Sequence, residues 1–362
     1  MTDPAQFRDQ FPVFTHKAYL NAGTEGPLPR QAAEAVRERI ELELNGGRCG
    51  QAYMDGVREL STALRGGYAR VLGADCDDVA ITGSTTDGLN TVLAGLDLRA
   101  GDEIVTSDEE HPGLLAPLAR AAQQYGVKVR MTPFAEVAGA VTGGTRLVAC
   151  SHVSWVSGRV VDHAALTATG VPILLDGAQG VGAVPVDVEV LGCAFYAASG
   201  QKWLCGPEGS GCLYVRRDLR DELAVPWPGY GSLADAHDAL NSGPAETAAR
   251  FDHGFPPGMR SGWALASLAV LEAAGWRWLH GRAADLAAEL ASALAERGLE
   301  VGPRGRSTLV SWRAEDADAE VGRLAEHGYV VRSIPAHSYV RASVGAWTSE
   351  EEVAGLASQA AR

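Results

Sequence analysis

No CxxC pair occurs in this sequence, although it contains six cysteines (Cys49, Cys76, Cys150, Cys193, Cys205 and Cys212), and that absence argues against a structural zinc site. At 362 residues the chain can bury a core without disulfide staples, so scattered thiols are expected to be reduced, in a cytoplasmic compartment. No apolar run is long enough to span a bilayer. The opening MTDPAQFRDQFPVF lacks the basic stretch and apolar core of a secretory signal. Positive charge is scarce: 31 Lys and Arg stand against 45 Asp and Glu, for a net charge of -14. That balance disfavours nucleic acid and anionic membranes as partners, while leaving room for a local basic pocket that holds a phosphate or carboxylate. No internal repeat and no low-complexity tail is present.

What remains reads as a folded enzyme. Hydrophobic residues at 46% and charged residues at 21% lie near the averages of folded proteins, which argues against disorder. Residues from about 30 to 72 carry apolar positions at helical spacing, and Gly73 is a plausible stop. Apolar, β-rich runs then alternate with helical stretches: DVAITGS, DEIVTS, VKVRMT, TRLVACSHVS, VPILLDGA, CAFYAAS and GCLYVRR. This alternation predicts an α/β fold with a mostly parallel sheet flanked by helices. From about 262 an Ala/Leu-rich helical stretch, then strand, helix, strand and helix, predicts a smaller α+β C-terminal domain. Residues 226 to 260, rich in Gly and Pro without a sustained period, predict cleft-lining loops.

Four segments carry chemistry. In ASGQKWLCGPEGSGCLYV, Lys202 is the only cation between two core-type runs. A lone lysine is usually a solvated surface residue. Enclosed in a cleft, its lowered pKa would make it nucleophilic enough to form an imine with an aldehyde. In VPILLDGAQGVGAVPVD, a buried-type run ends at Asp176, with Gln179 three residues on. An isolated strand-end Asp more often caps a helix. With Lys202 placed 26 residues downstream (202 − 176), Asp176 gains a chemical role, since a carboxylate beside a pyridine nitrogen keeps that nitrogen protonated and the ring an electron sink. In AITGSTTDGLN, Ser84, Thr85 and Thr86 open a helix, either as an ordinary N-cap or as an anion site for a phosphate. In SDEEHPGLLAPL, His111 follows a strand, where imidazole can stack on a flat ring or move protons.

In this order the four segments resemble the class V aminotransferase family of fold type I PLP-dependent enzymes, which includes cysteine desulfurases, selenocysteine lyases and isopenicillin N epimerase-like proteins. The likeness spans nearly the whole chain, through YLNAGTEGPLP (19 to 29), STT (84 to 86), EHP (110 to 112), SHVSWVSG (151 to 158), DGAQ (176 to 179), SGQK (199 to 202) and VRASV (340 to 344). It implies a large PLP-binding domain over residues 22 to 261 and a small domain from 1 to 21 with 262 to 362. It also implies pyridoxal 5'-phosphate as a Schiff base on Lys202, Asp176 at the pyridine nitrogen, Gln179 at the ring hydroxyl and His111 stacked on the ring. Ser84, Thr85, Thr86, Ser199 and Gln201 are implied for the phosphate, Trp155 for the cofactor pocket, Arg341 for the substrate carboxylate, and Asn21 and Ala22 for the substrate side. A homodimer follows from the same likeness.

Departures from the family narrow the reaction. Gln201 replaces a histidine before the lysine, and Trp155 replaces an asparagine. RFDHGF (250 to 255) puts Phe255 where a hydroxyl usually reaches the neighbouring subunit's phosphate. The stretch from Arg332 to Arg341 holds no cysteine, which disfavours persulfide-relay desulfurase chemistry; Cys205, in the turn KWLCGP, is a minor candidate nucleophile. The expected activity is that of a C–S lyase, by α,β-elimination on a cysteine derivative or conjugate. An aminotransferase, an epimerase-like enzyme, a PLP-dependent decarboxylase or oxidase of secondary metabolism, a cysteine desulfurase-like protein without the usual relay cysteine, and a non-catalytic binding or scaffold protein are the alternatives.

Overall fold

The protein is described by a computed structural model, which covers residues 2–252, 254 and 258–362. Phe255, and with it the expectation of a missing cross-subunit hydroxyl, lies outside the described residues. Seven of the apolar runs form one sheet: β1 (Val79–Thr82), β2 (Glu103–Ser107), β3 (Lys128–Thr132), β4 (Thr145–Ser151), β5 (Ile173–Asp176), β6 (Phe195–Ser199) and β7 (Gly211–Val215). Their spatial order is β1-β7-β6-β5-β4-β2-β3, and every neighbouring pair is parallel except those made by β7.

Burial explains the composition of these strands. β5, β6 and β7 are buried at every position, as strands covered on both faces must be, and they therefore read as continuous apolar runs. Within β1 the period of two sends Val79 and Ile81 into one core and Ala80 into another on the opposite face. β3 lies at the sheet edge, where Lys128 and Arg130 discourage pairing with another chain. Helix α1 (Thr85–Gly95) presses close on β6: a Cβ at Gly88 would lie 2.9 Å from the Ala197 methyl, so only glycine permits the approach.

The expected pair of opening helices forms as Arg30–Gly46 and Gly50–Leu72, the second stopped by Gly73 in the left-handed conformation at φ 63°. One expectation differs. The apolar stretch after 262 is two helices, Gly258–Ala274 and Trp276–Glu296, broken at Gly275, whose φ of 88° no helix accommodates. Beyond them, β8 (Leu309–Arg313), β9 (Arg332–Ile334) and β10 (Tyr339–Ser343) make an antiparallel sheet ordered β9-β10-β8, which shares a core with Leu286, Leu290 and Leu356. The N-terminal segment joins this part: Ala18 and Tyr19 pair with Tyr329 and Val330, and the rings of Phe7, Phe11 and Phe14 gather on Trp347. We propose the division into 22–261 and 1–21 with 262–362 on the strength of these two sheets; the core under the seven-stranded sheet runs on into Phe7, Leu268, Leu279 and Trp347. Among the described residues no helix is long and apolar enough to cross a membrane, no group of side chains suits a metal ion, and all six cysteines are free.

β1 is tied down by a buried ion pair. Asp252 accepts from Ile81 N at 2.8 Å and from both terminal nitrogens of Arg65, at 3.1 and 2.6 Å, while Arg65 also donates to Val79 O. Removing one partner of such a pair strands the other in a dry setting. Asp252→Ala is expected to destabilise the fold by about 3 kcal/mol, read as a fall in the urea midpoint; a midpoint unchanged from wild type contradicts this account of the strand.

Candidate active site

Five parallel strands end on one side of the sheet, and the chemistry-bearing residues sit at those ends or in the loops that follow. Thr82 leads to Ser84, Ser107 to His111, Ser151 to Trp155, while Asp176 and Ser199 are themselves the last residues of β5 and β6. Carboxyl ends of parallel strands are where ligands bind in open α/β sheets. A cavity of about 240 Å³ opens there, and its wall includes Ser84, Thr85, Thr86, His111, Trp155, Asp176, Gln179, Ser199, Gln201, Lys202 and Arg341. Eleven of the thirteen expected residues are thus brought to one place.

Lys202 is one of three lysines in the chain, with Lys17 and Lys128. Removal from water pushes its amine down to about 8, a shift that Asp176 opposes and Arg341 reinforces. The turn after it is tight: Cys205 N donates to Lys202 O at 3.1 Å, and Cys205 adopts φ 56°. The Cys205 carbonyl accepts from Trp263 Nε1 and Ser267 Oγ, and burial holds its thiol far above the ordinary range. Cys205 is a turn residue, and no cysteine lines the cavity among the described residues.

Asp176 is buried and accepts from Ala178 N at 2.9 Å. Burial raises its carboxyl, and Lys202 pulls the other way. Gln179 is fixed at both ends of its amide, donating to Gly23 O at 2.7 Å and accepting from Trp203 Nε1 at 3.0 Å. His111 caps helix α2 (Pro112–Tyr125): its Nδ1 accepts from Gly113 N at 2.9 Å, which leaves the ring hydrogen on Nε2. Desolvation and the charges of Lys202, Arg332 and Arg341 push His111 down to about 4, so it is neutral near pH 7. As a neutral imidazole it presents a flat, uncharged ring to the cavity. Trp155 meets that ring edge-on at 4.8 Å between centroids.

Several buried polar atoms lining the cavity have no partner. Thr85 Oγ1 and Ser199 Oγ are unpaired, as is Gln201 Oε1, whose amide can equally present its nitrogen. They cluster around the N-terminus of α1, which supplies free N–H groups and a favourable dipole. Ser84 Oγ is already used, accepting from Asp87 N at 3.1 Å as the N-cap, which leaves Thr85 Oγ1 and the helix amides as the candidate anion site. The set fits a phosphate, and the buried carboxylate and low-pKa amine fit the two ends of pyridoxal. On the opposite wall Arg341 is completely buried; its Nη1 donates to Trp155 O at 2.7 Å, while Nε and Nη2 find no acceptor. Burial and Arg332 push Arg341 down to about 9.

Asn21 and Ala22 do not line this cavity. Asn21 bridges to Ser343 and its side chain accepts from Thr24 Oγ1, and Ala22 is enclosed in the core. The residues that follow them, Gly23, Thr24 and Glu25, form the wall instead, together with Arg332, which sequence reasoning missed. Arg332 stands directly opposite Arg341 in the β9–β10 hairpin and donates from Nη1 to Thr24 Oγ1 at 3.2 Å. The signal was two short β-type runs, RSI and YVRAS, around a Pro335–Ala336 turn.

A buried amine and a buried carboxylate, with an anion cradle and two arginines on the same cavity wall, fit a carbonyl cofactor that carries a phosphate. The family profile for class-V aminotransferases matches residues 19–356, and the chain belongs to that family of pyridoxal phosphate enzymes. A curated relative, a probable cysteine desulfurase of Methanothermobacter thermautotrophicus, is 31% identical over 245 residues, covering 64% of this chain. The chain spans 61% of that relative's length. Among solved structures, the cystine C–S lyase C-DES in complex with its reaction product cysteine persulfide is 29% identical, with a TM-score of 0.92 over 97% of this chain and 99% of that one. A C-DES variant with glycine covalently linked to its PLP cofactor is 28% identical, with a TM-score of 0.93 over 100% and 99% of the two chains.

In the cofactor-free protein, labelling of Lys202 by an amine-selective reagent, followed by peptide mass spectrometry, is expected to rise in one step centred near pH 8. A profile still climbing at about pH 10, the range of an ordinary lysine, contradicts the buried amine.

Proposed function

We propose that the protein is a PLP-dependent C–S lyase acting by α,β-elimination on S-substituted cysteines, with disulfides such as cystine as the preferred class. When bound, the cofactor supplies an electron sink that weakens the bonds at the substrate α-carbon. Lys202 would hold it covalently through Nζ, with Asp176 to pair with the pyridine nitrogen and Gln179 with the ring hydroxyl. Thr85, Thr86, Ser199 and Gln201 would hold the phosphate with the α1 amides, His111 would pack on the ring as a neutral imidazole, and Trp155 closes the pocket beside it. Arg341 receives the substrate α-carboxylate in a bidentate contact. Lys202 Nζ, freed by the substrate amine and already lowered in pKa, takes the α-proton. The Cβ–S bond then breaks with its electron pair on sulfur. The carbon skeleton is released through hydrolysis as pyruvate and ammonia, and the sulfur-bearing fragment leaves.

The pairing of Arg332 with Arg341 carries this reading. Like charges directly opposite across a hairpin repel, and burial makes the pair dearer still, so the arrangement is favoured only with anions to receive. Two guanidinium groups suit two carboxylates, one on each side of the sulfur. Lack of a cysteine on the cavity wall fits release of the sulfur fragment and disfavours a protein-bound persulfide relay. We propose further that the enzyme works in the cytoplasm as a homodimer. Exposed Ile40, Leu42 and Leu44 on one helix and Met54 on the next offer apolar surface for that contact.

Incubation with a panel of S-substituted cysteines should yield pyruvate in step with thiol or persulfide. Arg332→Gln should raise the KM for cystine about tenfold more than that for S-methylcysteine, which has no second carboxylate. No pyruvate from any member of the panel contradicts the lyase; an equal effect on both substrates contradicts the role of Arg332.

A further inference from the structure

Besides Asp176, Glu25 is the only acidic residue on the cavity wall among the described residues. Its root is held firmly. Glu25 N donates to Asn21 O at 3.2 Å, Tyr19 OH donates to Glu25 O at 2.9 Å, and the next amide, Gly26 N, donates to Gln201 O at 2.7 Å. A Cβ at Gly26 would fall 2.0 Å from Lys202 O, so glycine alone lets this loop lie against the lysine segment. Among the described residues the carboxylate itself makes no hydrogen bond and no ion pair.

Thr24, the preceding residue, is the one that Arg332 Nη1 grips. Arg332, which holds Thr24, and Glu25, the next residue, thus both line the cavity without pairing with each other. A guanidinium and a carboxylate on the wall of one cavity offer partners for the two charges of an amino-acid zwitterion.

We propose that Glu25 is a specificity-determining residue that receives the ammonium group on the far side of the substrate sulfur, next to the carboxylate received by Arg332. This rests on the reading of the substrate as an S-substituted cysteine, and narrows it to those whose sulfur substituent ends in a second amino acid. Lys202 is committed to the cofactor and is no standing counter-ion for Glu25. Burial, together with Glu208, pushes the Glu25 carboxyl up to about 7 against the pull of Lys202, so this group gains from a cation brought beside it.

The test uses the cofactor-loaded protein and two ligands with no sulfur to eliminate. Diaminosuberate replaces the disulfide of cystine by two methylenes and keeps both zwitterions; aminosuberate keeps both carboxylates but lacks the distal ammonium. By calorimetry the wild type should bind diaminosuberate about tenfold more tightly. Glu25→Gln should erase that preference by weakening the diamino ligand, and Glu25→Asp should keep part of it, with an unchanged cofactor spectrum reporting an intact fold. No preference in the wild type, or equal weakening of both ligands in both variants, overturns the assignment. Pyruvate from cystine without any ligand preference sinks the Glu25 role alone. A preserved preference without pyruvate supports that role and sinks the lyase reading alone.

Discussion

Taking an ammonium group out of water without a close ion-pair partner costs free energy, and a protein tolerates it only where the neutral amine is wanted. Lys202 is in that position, at the carboxyl ends of five parallel strands, lowered to about 8 in spite of the Asp176 carboxylate. The sheet supplies the rigidity that this demands. β5 and β6 hold Asp176 and Ser199 in register, the tight turn through Cys205 fixes the lysine backbone, and the Gly23–Gly26 loop closes over it. A lysine on a looser element would swing its amine into solvent and recover its ordinary basicity.

The rest of the cavity follows from the same economy of charge. A chain of net charge -14 concentrates Lys202, Arg332 and Arg341 around one small volume, where burial first and the neighbouring positive charges second lower Lys202, Arg341 and His111. Unpaired donors on Arg341 and unpaired hydroxyls on Thr85 and Ser199 are local losses of stability, of the kind that active sites carry and packed cores avoid. Glu110, fully buried behind the site, shows the contrast. It is satisfied by Ser107 and by both the amide and hydroxyl of Ser151, and it anchors β2 to β4 one residue before His111.

Much of this was legible in the sequence. Fully buried parallel strands leave unbroken apolar runs, so the ends of those runs, and with them Asp176, Ser199 and the loops to Ser84, His111 and Lys202, could be located without coordinates. What lay outside that signal was lost. Arg332 draws its position from a hairpin with three paired residues on each side, too short for a period to register, and it gained meaning only when paired with Arg341. Asn21 and Ala22 were placed a step too early, because the bridge to Ser343 commits them to backbone structure and hands the cavity wall to Gly23, Thr24 and Glu25. The break at Gly275 was hidden by strong helical composition on both sides, which outweighs a single glycine in any window average.

The central claim is that one buried amine holds the cofactor. Borohydride reduction of the cofactor-loaded protein, followed by digestion and mass spectrometry, addresses it directly. The pyridoxyl mass should be fixed on the peptide containing Lys202 and absent from those containing Lys17 and Lys128. Fixation at either of those lysines, or none at all, contradicts the account.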